Sequence, residues 1–246
     1  VVTLLSNSKP YIRKRAVSVL YRIFLEFPDA LRPAFPKLKE KLKDDDVGTV
    51  CATVSVICEL ARKNPANYVK LAPTLFNLLT SGVQHPWLQL KLVKLFALLC
   101  PVEPRLPKRL VEPLTNLINT TPVMSLLYEC INTCTVGLVK HLPIIRLCIQ
   151  KLRLFIESTD QNYKYLGLLA LGNIMNEHPK AVREHKDTVL FCLDDEDESI
   201  RLRALDLLVG MVDKKNLADV IEKLLIHVST RAQGHYKSQV VDKIIA

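Results

Sequence analysis

The chain has 246 residues, of which 49% are hydrophobic, 24% are charged, 6% are aromatic and only seven are glycine. This length is sufficient for a large buried core. We find no apolar run near the ~18 residues that a membrane span requires, and no signal peptide at the start of the sequence. The composition therefore argues against a membrane-spanning or secreted class, and its scarcity of glycine favours helices over tight β-turns.

The seven cysteines are an odd number, are scattered, and include no CxxC pair. A disulfide framework is therefore not expected, and a reducing cytosol is the expected compartment. Cys130 and Cys134 lie four residues apart on a predicted helix and share one of its faces. Two thiolates at that spacing could contribute to a metal site, but burial in the core is the more common fate of cysteine, and we predict burial for this pair.

Apolar residues recur at helical spacing along the whole chain, as at Ala16, Leu20, Ile23 and Phe27. Proline, glycine and acidic clusters separate the periodic segments and mark helix starts and ends. Helices are predicted over residues 10–27, 33–43, 47–62, 71–80, 86–99, 108–119, 123–138, 144–156, 161–177, 182–193, 200–211 and 217–228, with another from residue 234 onward.

Short polar and acidic segments precede several of these helices and predict their N-terminal caps. Ser8 stands two residues before Pro10 and is the predicted cap of the first helix. Acidic clusters at residues 44–46 and 194–198 are predicted to cap the helices that follow them, because carboxylates accept hydrogen bonds from helix-start N–H groups and suit the positive end of the macrodipole.

Two internal echoes indicate a repeat. Residues 12–16 (IRKRA) return as residues 200–204 (IRLRA). Pro28, Pro36, Leu38 and Leu42 recur 37 positions later as Pro65, Pro73, Leu75 and Leu79. A period of ~38 residues lies between tetratricopeptide units (~34) and HEAT or armadillo units (~40–47), and the tetratricopeptide Trp/Gly/Tyr signature is absent. The sequence therefore predicts an all-α fold, a right-handed α-solenoid of HEAT/armadillo-like helical hairpins.

The helical segments form about six hairpin units, and no low-complexity linker interrupts them. Residues 1–246 are therefore predicted to be a single α-solenoid fragment. Because the chain starts at Val1 rather than at methionine and its last residues lie inside an apolar pattern, we interpret it as part of a longer solenoid.

Chemical motifs are sparse. Two Glu-His pairs, residues 177–178 and 184–185, resemble ligand pairs of repeat-built metal enzymes only in reversed order, and a solvated turn between helices explains them better. There is no phosphate-binding glycine loop, nucleophile elbow or HExxH motif. We therefore predict a binding protein rather than an enzyme, with no catalytic residue, no metal ligand and no cofactor.

The positive charge is concentrated near the start. The formal net charge is +9 for the whole chain, and residues 1–43 hold ten Lys or Arg and three acids, a difference of +7. Arg13, Lys14, Arg15 and Lys37 are predicted to contribute to a surface for an acidic partner or an anionic membrane. The alternative is a merely solvated face. Nucleic acid is a poorer candidate, because aromatic residues are not interleaved with these cations.

Several segments resemble the trunk of the adaptin large chains. They are residues 9–14 (KPYIRK), 160–168 (DQNYKYLGL) and 199–208 (SIRLRALDLL). Four more runs are most similar to the delta-type large chains of the third adaptor-protein complex: residues 31–36 (LRPAFP), 57–62 (ICELAR), 112–117 (EPLTNL) and 124–130 (MSLLYEC). The resemblance covers nearly the whole chain and weakens after residue 228.

The resemblance implies a cytosolic, non-enzymatic scaffold, peripheral on Golgi or endosomal membranes, that sorts membrane cargo toward lysosomes and related organelles. Its implied partners are a second large chain, a medium chain, a small chain and sorting-signal cargo. A small GTPase and the membrane surface would be contacted through the whole complex. No site residue is transferred from the family. Two alternatives remain open: another helical-repeat scaffold, such as a nuclear transport receptor or other coat subunit, and a repeat-built metalloenzyme.

Overall fold

The structure, a computed structural model, describes residues 1–82, 85–213, 216–230 and 234–245. All regular secondary structure in these ranges is helical, and short 3₁₀ turns join several of the α-helices. The α-helices are α1 (Pro10–Glu26), α2 (Leu31–Glu40), α3 (Val47–Lys63), α4 (Ala72–Thr80), α5 (Pro86–Leu99), α6 (Leu106–Thr120), α7 (Met124–Gly137), α8 (Leu142–Ile156), α9 (Gln161–Glu177), α10 (Pro179–Arg183), α11 (Lys186–Phe191), α12 (Glu198–Met211), α13 (Leu217–Thr230) and α14 (Gly234–Ile245). None of the described helices is both long and apolar enough to span a bilayer.

The predicted helices are confirmed in order, but the described part of the chain has one more α-helix than predicted, and two elements need correction. The helix predicted over residues 182–193 is wrong as a single element, because α10 and α11 are separate helices with Glu184 and His185 between them. The helix predicted over residues 33–43 instead begins at Leu31 and ends at Glu40, and a 3₁₀ turn, Lys41–Lys43, follows it. This tightening at a helix end is a common way to satisfy terminal backbone groups.

The repeat is visible in the helix starts. The first helices of the hairpins, α1, α3, α5, α7, α9 and α12, begin at residues 10, 47, 86, 124, 161 and 198. Consecutive starts are therefore 37 to 39 residues apart. The fold class is confirmed: it is an all-α repeat of HEAT/armadillo-like hairpins, in which each unit buries its apolar face against its neighbours.

The chain divides into two compact units. Unit 1, Val1–Leu138, stacks the first helices in the order α1, α3, α5 and α7, and α4 and α6 are second helices that flank them. Its core includes Leu38, Leu42, Leu75 and Leu79 from the 37-residue echo, each at most 8% exposed. The 37-residue recurrence therefore marks equivalent core positions: Leu38 on α2 and Leu42 in the turn after it correspond to Leu75 and Leu79 on α4.

Unit 2, Val139–Ala246, packs α8 on α9 and α9 on α12, and the short helices α10 and α11 both contact α8 and α12. Gly167 on α9 marks its closest approach. A Cβ atom at this position would lie 2.9 Å from the Phe155 Cβ and the Ile156 Cγ1 of α8. The absence of a side chain therefore sets how closely α8 and α9 pack.

The same small turn precedes most of the first helices. The side chain two residues before the N-cap accepts a hydrogen bond from the backbone N–H of the N-cap residue, as Asp44 does from Asp46 at 3.1 Å. The other acceptors are Asn7, Thr121, Ser158 and Asp195, at 2.9 to 3.2 Å. At α5 the equivalent residue, Val83, lies outside the described residues. These short polar side chains imitate a backbone turn and fix the chain direction into the helix.

The acidic clusters cap helices as predicted, whereas Ser8 does not. Asp46 accepts a hydrogen bond from the Thr49 backbone N–H at 2.7 Å, and Asp197 accepts one from the Ser199 backbone N–H at 2.7 Å. At α1 the N-cap residue is Lys9, which supplies no side-chain cap. The prediction of Ser8 is wrong because the polar turn is built by Asn7, one residue earlier, which shifts the cap position to residue 9.

A candidate partner-binding surface

The structure separates the four predicted surface cations. Lys14 and Arg15 are exposed on α1, and Lys37 is exposed on α2. Lys37 Nζ lies 3.6 Å from Glu40 Oε2, but both side chains are more than half exposed, so this ion pair contributes little to stability. The Arg13 side chain is only 13% exposed. Three cations are therefore available to a partner, and Arg13 has an internal role.

Arg13 braces two successive hairpins. Its Nη2 donates to Asp44 Oδ1 at 2.7 Å, and its Nη1 donates to the backbone carbonyls of Asn7 and Ser8 at 3.0 Å. Lys41 Nζ donates to the other Asp44 oxygen at 3.1 Å. One guanidinium thus joins the turn before α1 to the turn before α3, and its planar fork suits this multidentate arrangement.

The same contacts perturb the ionisation of Asp44. Burial raises its pKa, but hydrogen bonds from Arg13, the Asp46 backbone N–H and Lys41 outweigh burial and hold the pKa below the ordinary carboxyl value. Asp46 also has a lowered pKa, chiefly because the Thr49 hydroxyl donates a hydrogen bond to it. Both carboxylates are therefore charged in the folded protein and accept hydrogen bonds that stabilise the turn before α3.

Sequence reasoning did not identify Trp87 as an exposed aromatic residue of unit 1. Trp87, at the start of α5, is 56% exposed, and Lys91 Nζ lies 5.4 Å from the centre of its ring. Lys14 on α1 and Lys91 on α5 both act electrostatically on the Cys51 thiol of α3. Burial raises the pKa of that thiol, and the two lysines oppose the shift. Lys14 and Lys91 therefore flank α3 from its two neighbours.

A groove lies between the second helices α4 and α6. One cavity of about 480 Å³ is lined by apolar residues of both helices together with Lys70, Arg105 and Arg109. A second cavity of about 500 Å³ continues along the same helices. Phe76 and Arg109 line both cavities, so the two form one groove. The sequence could not predict it, because Lys70 and the α4 residues are distant in sequence from Arg105 and Arg109.

A cavity in unit 2 combines charged and apolar side chains. It has a volume of about 670 Å³, and Asp187, Asp194, Lys223 and His227 line it with the exposed apolar side chains of Phe191 and Ile226. Phe191 is 75% exposed and Ile226 is 57% exposed. Exposed apolar groups of this size are typical of interaction surfaces.

The other candidate residues have structural environments. Cys130 and Cys134 are 0% exposed, which confirms their predicted burial. His178 is half-buried in the turn after α9, and its Nε2 lies 2.7 Å from the carbonyl oxygen of Val139. His185 begins α11. Within the described residues, no group of three or more His, Cys, Asp or Glu side chains is arranged to hold a metal ion.

Stacked helical hairpins with grooved, charged flanks define a repeat scaffold, a class of protein that acts through extended binding surfaces. A designed armadillo repeat protein supports the fold alone, with a TM-score of 0.60 at 15% identity over 86% of this chain and 98% of the designed one. A homology model of the full-length AP-3 complex in an intermediate open conformation matches with a TM-score of 0.80 at 31% identity, over 99% of this chain and 46% of that chain.

The family model for the adaptin N terminal region matches residues 1–246. AP-3 complex subunit delta of Dictyostelium discoideum is 60% identical over 245 residues, which are 100% of this chain and 21% of that protein. AP-3 complex subunit delta-1 of Bos taurus is 56% identical over 252 residues, again 100% of this chain and 21% of that protein. The chain belongs to the adaptin N-terminal region family, and the delta-type similarity inferred from the sequence is confirmed. It spans about a fifth of the length of these relatives.

Proposed function

We propose that this chain is a trunk segment of the large subunit of an adaptor complex and acts by protein–protein binding, without catalysis. The observation that carries the proposal is the similarity over the whole chain to delta subunits of AP-3 complexes at 56–60% identity. The repeat fold is compatible with this role, because stacked hairpins present long surfaces on which other subunits bury a large area.

The proposed partners are a second large chain, a medium chain and a small chain. A small GTPase, sorting-signal cargo and the membrane surface are proposed to be contacted through the whole complex. The proposed site of action is the cytoplasmic face of Golgi or endosomal membranes, where the complex sorts cargo toward lysosomes and related organelles. A nuclear transport receptor and a repeat-built metalloenzyme are the alternatives that an experiment has to separate from this proposal.

Affinity capture of the full-length chain tests the proposal. We expect a second large chain, a medium chain and a small chain in equal amounts with it. Recovery of a nuclear GTPase without adaptor chains would overturn the proposal in favour of a transport receptor. Stoichiometric iron in the purified chain, measured by elemental analysis, would instead support the metalloenzyme.

We also propose that Lys14, Arg15 and Lys37 contribute to a surface for an acidic partner or an anionic membrane. Their exposure supports this assignment, whereas Arg13 stabilises the hairpin that presents them. A cation near an anionic bilayer contributes about 1 kcal/mol of attraction, so the double variant Lys14→Glu/Arg15→Glu should bind at least about tenfold more weakly.

Sedimentation with phosphatidylserine-containing vesicles, at low and at high salt, measures this effect. The matched control is the double variant Lys140→Glu/Lys180→Glu, which makes the same charge change at exposed lysines of unit 2. Equal binding of both variants and the unmodified protein at low salt would show that the predicted cations are only a solvated face.

A further inference from the structure

We propose that the groove between α4 and α6 binds a short acidic amphipathic helix of a partner protein. In this arrangement the apolar side chains of the helix occupy the two cavities, and its carboxylates contact Lys70, Arg105 and Arg109. The inference rests on the proposed scaffold function, and it assigns to one groove of unit 1 a ligand of defined chemistry.

The lining of the groove favours an amphipathic occupant. Ala72, Pro73 and Leu106 contribute apolar surface to the first cavity, and Leu79 and Leu117 contribute it to the second. Such surface gains about 25 cal/mol for each Å² that a partner removes from water. A fully polar ligand would leave this gain unused, so the occupant is expected to present apolar side chains.

The charges at the first cavity favour an acidic occupant. Lys70, Arg105 and Arg109 line it with one acid, Glu103, whose Oε1 already accepts a hydrogen bond from the Arg105 backbone N–H at 3.2 Å. In the part of the chain that the structure describes, none of the three cations forms an ion pair with a carboxylate of the chain. Guanidinium groups bind carboxylates in two-point geometry, and complementary charge fixes the register of a bound segment.

The length of the groove favours a helix of about two turns. α4 has nine residues and is therefore about 13 Å long. Apolar side chains at positions i and i+4 of a docked helix are separated by about 6 Å along its axis, so the two cavities can each receive one of them. This is the usual way in which an amphipathic helix occupies a groove between other helices.

A protein segment fits these features better than a lipid surface or a nucleic acid. The apolar lining is recessed between two helices, where a flat bilayer surface has no access to it. Phe76 is the aromatic residue shared by the two cavities, whereas binding of single-stranded nucleic acid generally uses several aromatic platforms.

The test uses the full-length chain in its assembled complex. Phe76→p-benzoylphenylalanine places a photo-crosslinker inside the groove, and the crosslinked peptide is mapped by mass spectrometry. Phe27→p-benzoylphenylalanine is the control, because Phe27 is 68% exposed and lines none of these cavities. We expect the Phe76 probe, and not the Phe27 probe, to label a helix with apolar residues at i and i+4 and neighbouring carboxylates.

Charge variants complete the test. Arg109→Glu and Arg105→Glu should each reduce the crosslinking yield about tenfold or more, because they place like charges opposite the ligand. Lys108→Glu makes the same change one residue away, at an exposed position that lines neither cavity, and should leave the yield unchanged. Arg109→Lys should restore most of the yield that Arg109→Glu removes.

Assembly is measured separately through co-purification of the other adaptor chains. Loss of crosslinking with assembly intact supports the groove and leaves the proposed scaffold function standing. The groove assignment is overturned by a crosslink to lipid, by a labelled segment without carboxylates, by no crosslink at Phe76, or by unchanged yields in both charge variants. If one charge variant loses its helical circular dichroism, the other charge variant and the probe decide the outcome.

Discussion

The starts of α1 and α9 share a cation–aspartate pair at equivalent positions. At the fourth helical residue each has a cation that reaches an aspartate 31 residues later, Arg13 to Asp44 and Lys164 to Asp195. The lysine pair has a single contact of 2.5 Å. Arg13 adds two bonds to carbonyls of its own turn. The spacing between hairpins is thus held in both units by a cation–aspartate pair, but only the arginine also secures the turn before its helix.

In unit 2 two residues make the contacts that Arg13 makes alone in unit 1: Lys164 pairs with the aspartate, and Arg201 binds the carbonyls of the turn before its helix. Arg201, at the fourth position of α12, donates to the carbonyls of Asp195 and Glu196 at 2.8 and 2.9 Å. Arg13 makes the equivalent bonds six and five residues before itself. This equivalence explains why residues 12–16 return as residues 200–204: the first arginine of each copy fastens the turn that precedes its helix.

The two starts also differ at the seventh helical residue, which is Ala16 in α1 and Gly167 in α9. We expect Gly167→Ala to destabilise unit 2 by about 3 kcal/mol, because the added methyl would meet α8 at 2.9 Å. Gly172→Ala, on the same helix, places its Cβ 3.5 Å from Leu207 and should be neutral or stabilising by up to about 1 kcal/mol. Urea unfolding measures both. If the two variants were equally stable, close packing of α8 on α9 would not set this position.

The two aspartates should differ in their contributions. Asp44 has two cationic partners and Asp195 has one. We therefore expect Asp44→Asn to reduce the free energy of unfolding by about 2 kcal/mol and Asp195→Asn by about 1 kcal/mol. Chemical denaturation of the two variants at neutral pH compares them directly. The reverse ranking would mean that Lys41, the second cationic partner of Asp44, contributes no net stability.

Acidification should weaken the Asp44 brace. Its pKa is lowered in the folded state, so its stabilisation is complete above the ordinary carboxyl pKa of ~3.9 and is lost as the pH falls through the lowered value. The unmodified protein should therefore lose more stability than Asp44→Asn between pH 7 and about pH 3. Urea titrations at the two pH values provide the measurement, and parallel losses in both proteins would contradict the assignment.

The smallest expected effects concern the caps of the two helices. Asp160 accepts hydrogen bonds from two N–H groups at the start of α9, and Asp160→Ala should cost about 1 kcal/mol. Lys9 supplies no cap to α1, so Lys9→Asp should stabilise unit 1 by about 0.5 kcal/mol. Thermal unfolding followed by circular dichroism compares the two. A destabilised Lys9→Asp variant would show that the backbone at residue 9 does not allow capping.

The helices, their order and their repeat could be predicted from the sequence, because apolar spacing and cap residues are local signals. Two boundaries failed for local reasons as well. Asn7 rather than Ser8 builds the polar turn before α1, and the predicted helix over residues 182–193 breaks within its polar run, residues 183–188, where His185 is the N-cap of α11. The periodic pattern records which residues face the core, and it does not record whether the backbone between them stays helical.

The predicted surface was only partly recoverable from the sequence. Clustering of cations identified Lys14, Arg15 and Lys37, and they are exposed. The same clustering included Arg13, which is committed to Asp44 in the next hairpin. Net charge along a segment does not distinguish a cation that faces solvent from one that meets an acid 31 residues away. The α4–α6 groove was missed for a related reason: Lys70 and Phe76 are distant in sequence from Arg105 and Arg109.

By itself the sequence determined the class of fold, the period of about 38 residues, the burial of Cys130 and Cys134, and the similarity to adaptin large chains. These properties follow from local periodicity and from runs of identical residues. Only the tertiary structure decided that Arg13 is a brace, that Gly167 is a packing contact, and that Phe76 and Arg109 share a groove. Each of these depends on contacts between hairpins, and hairpin packing brings together side chains that no local pattern connects.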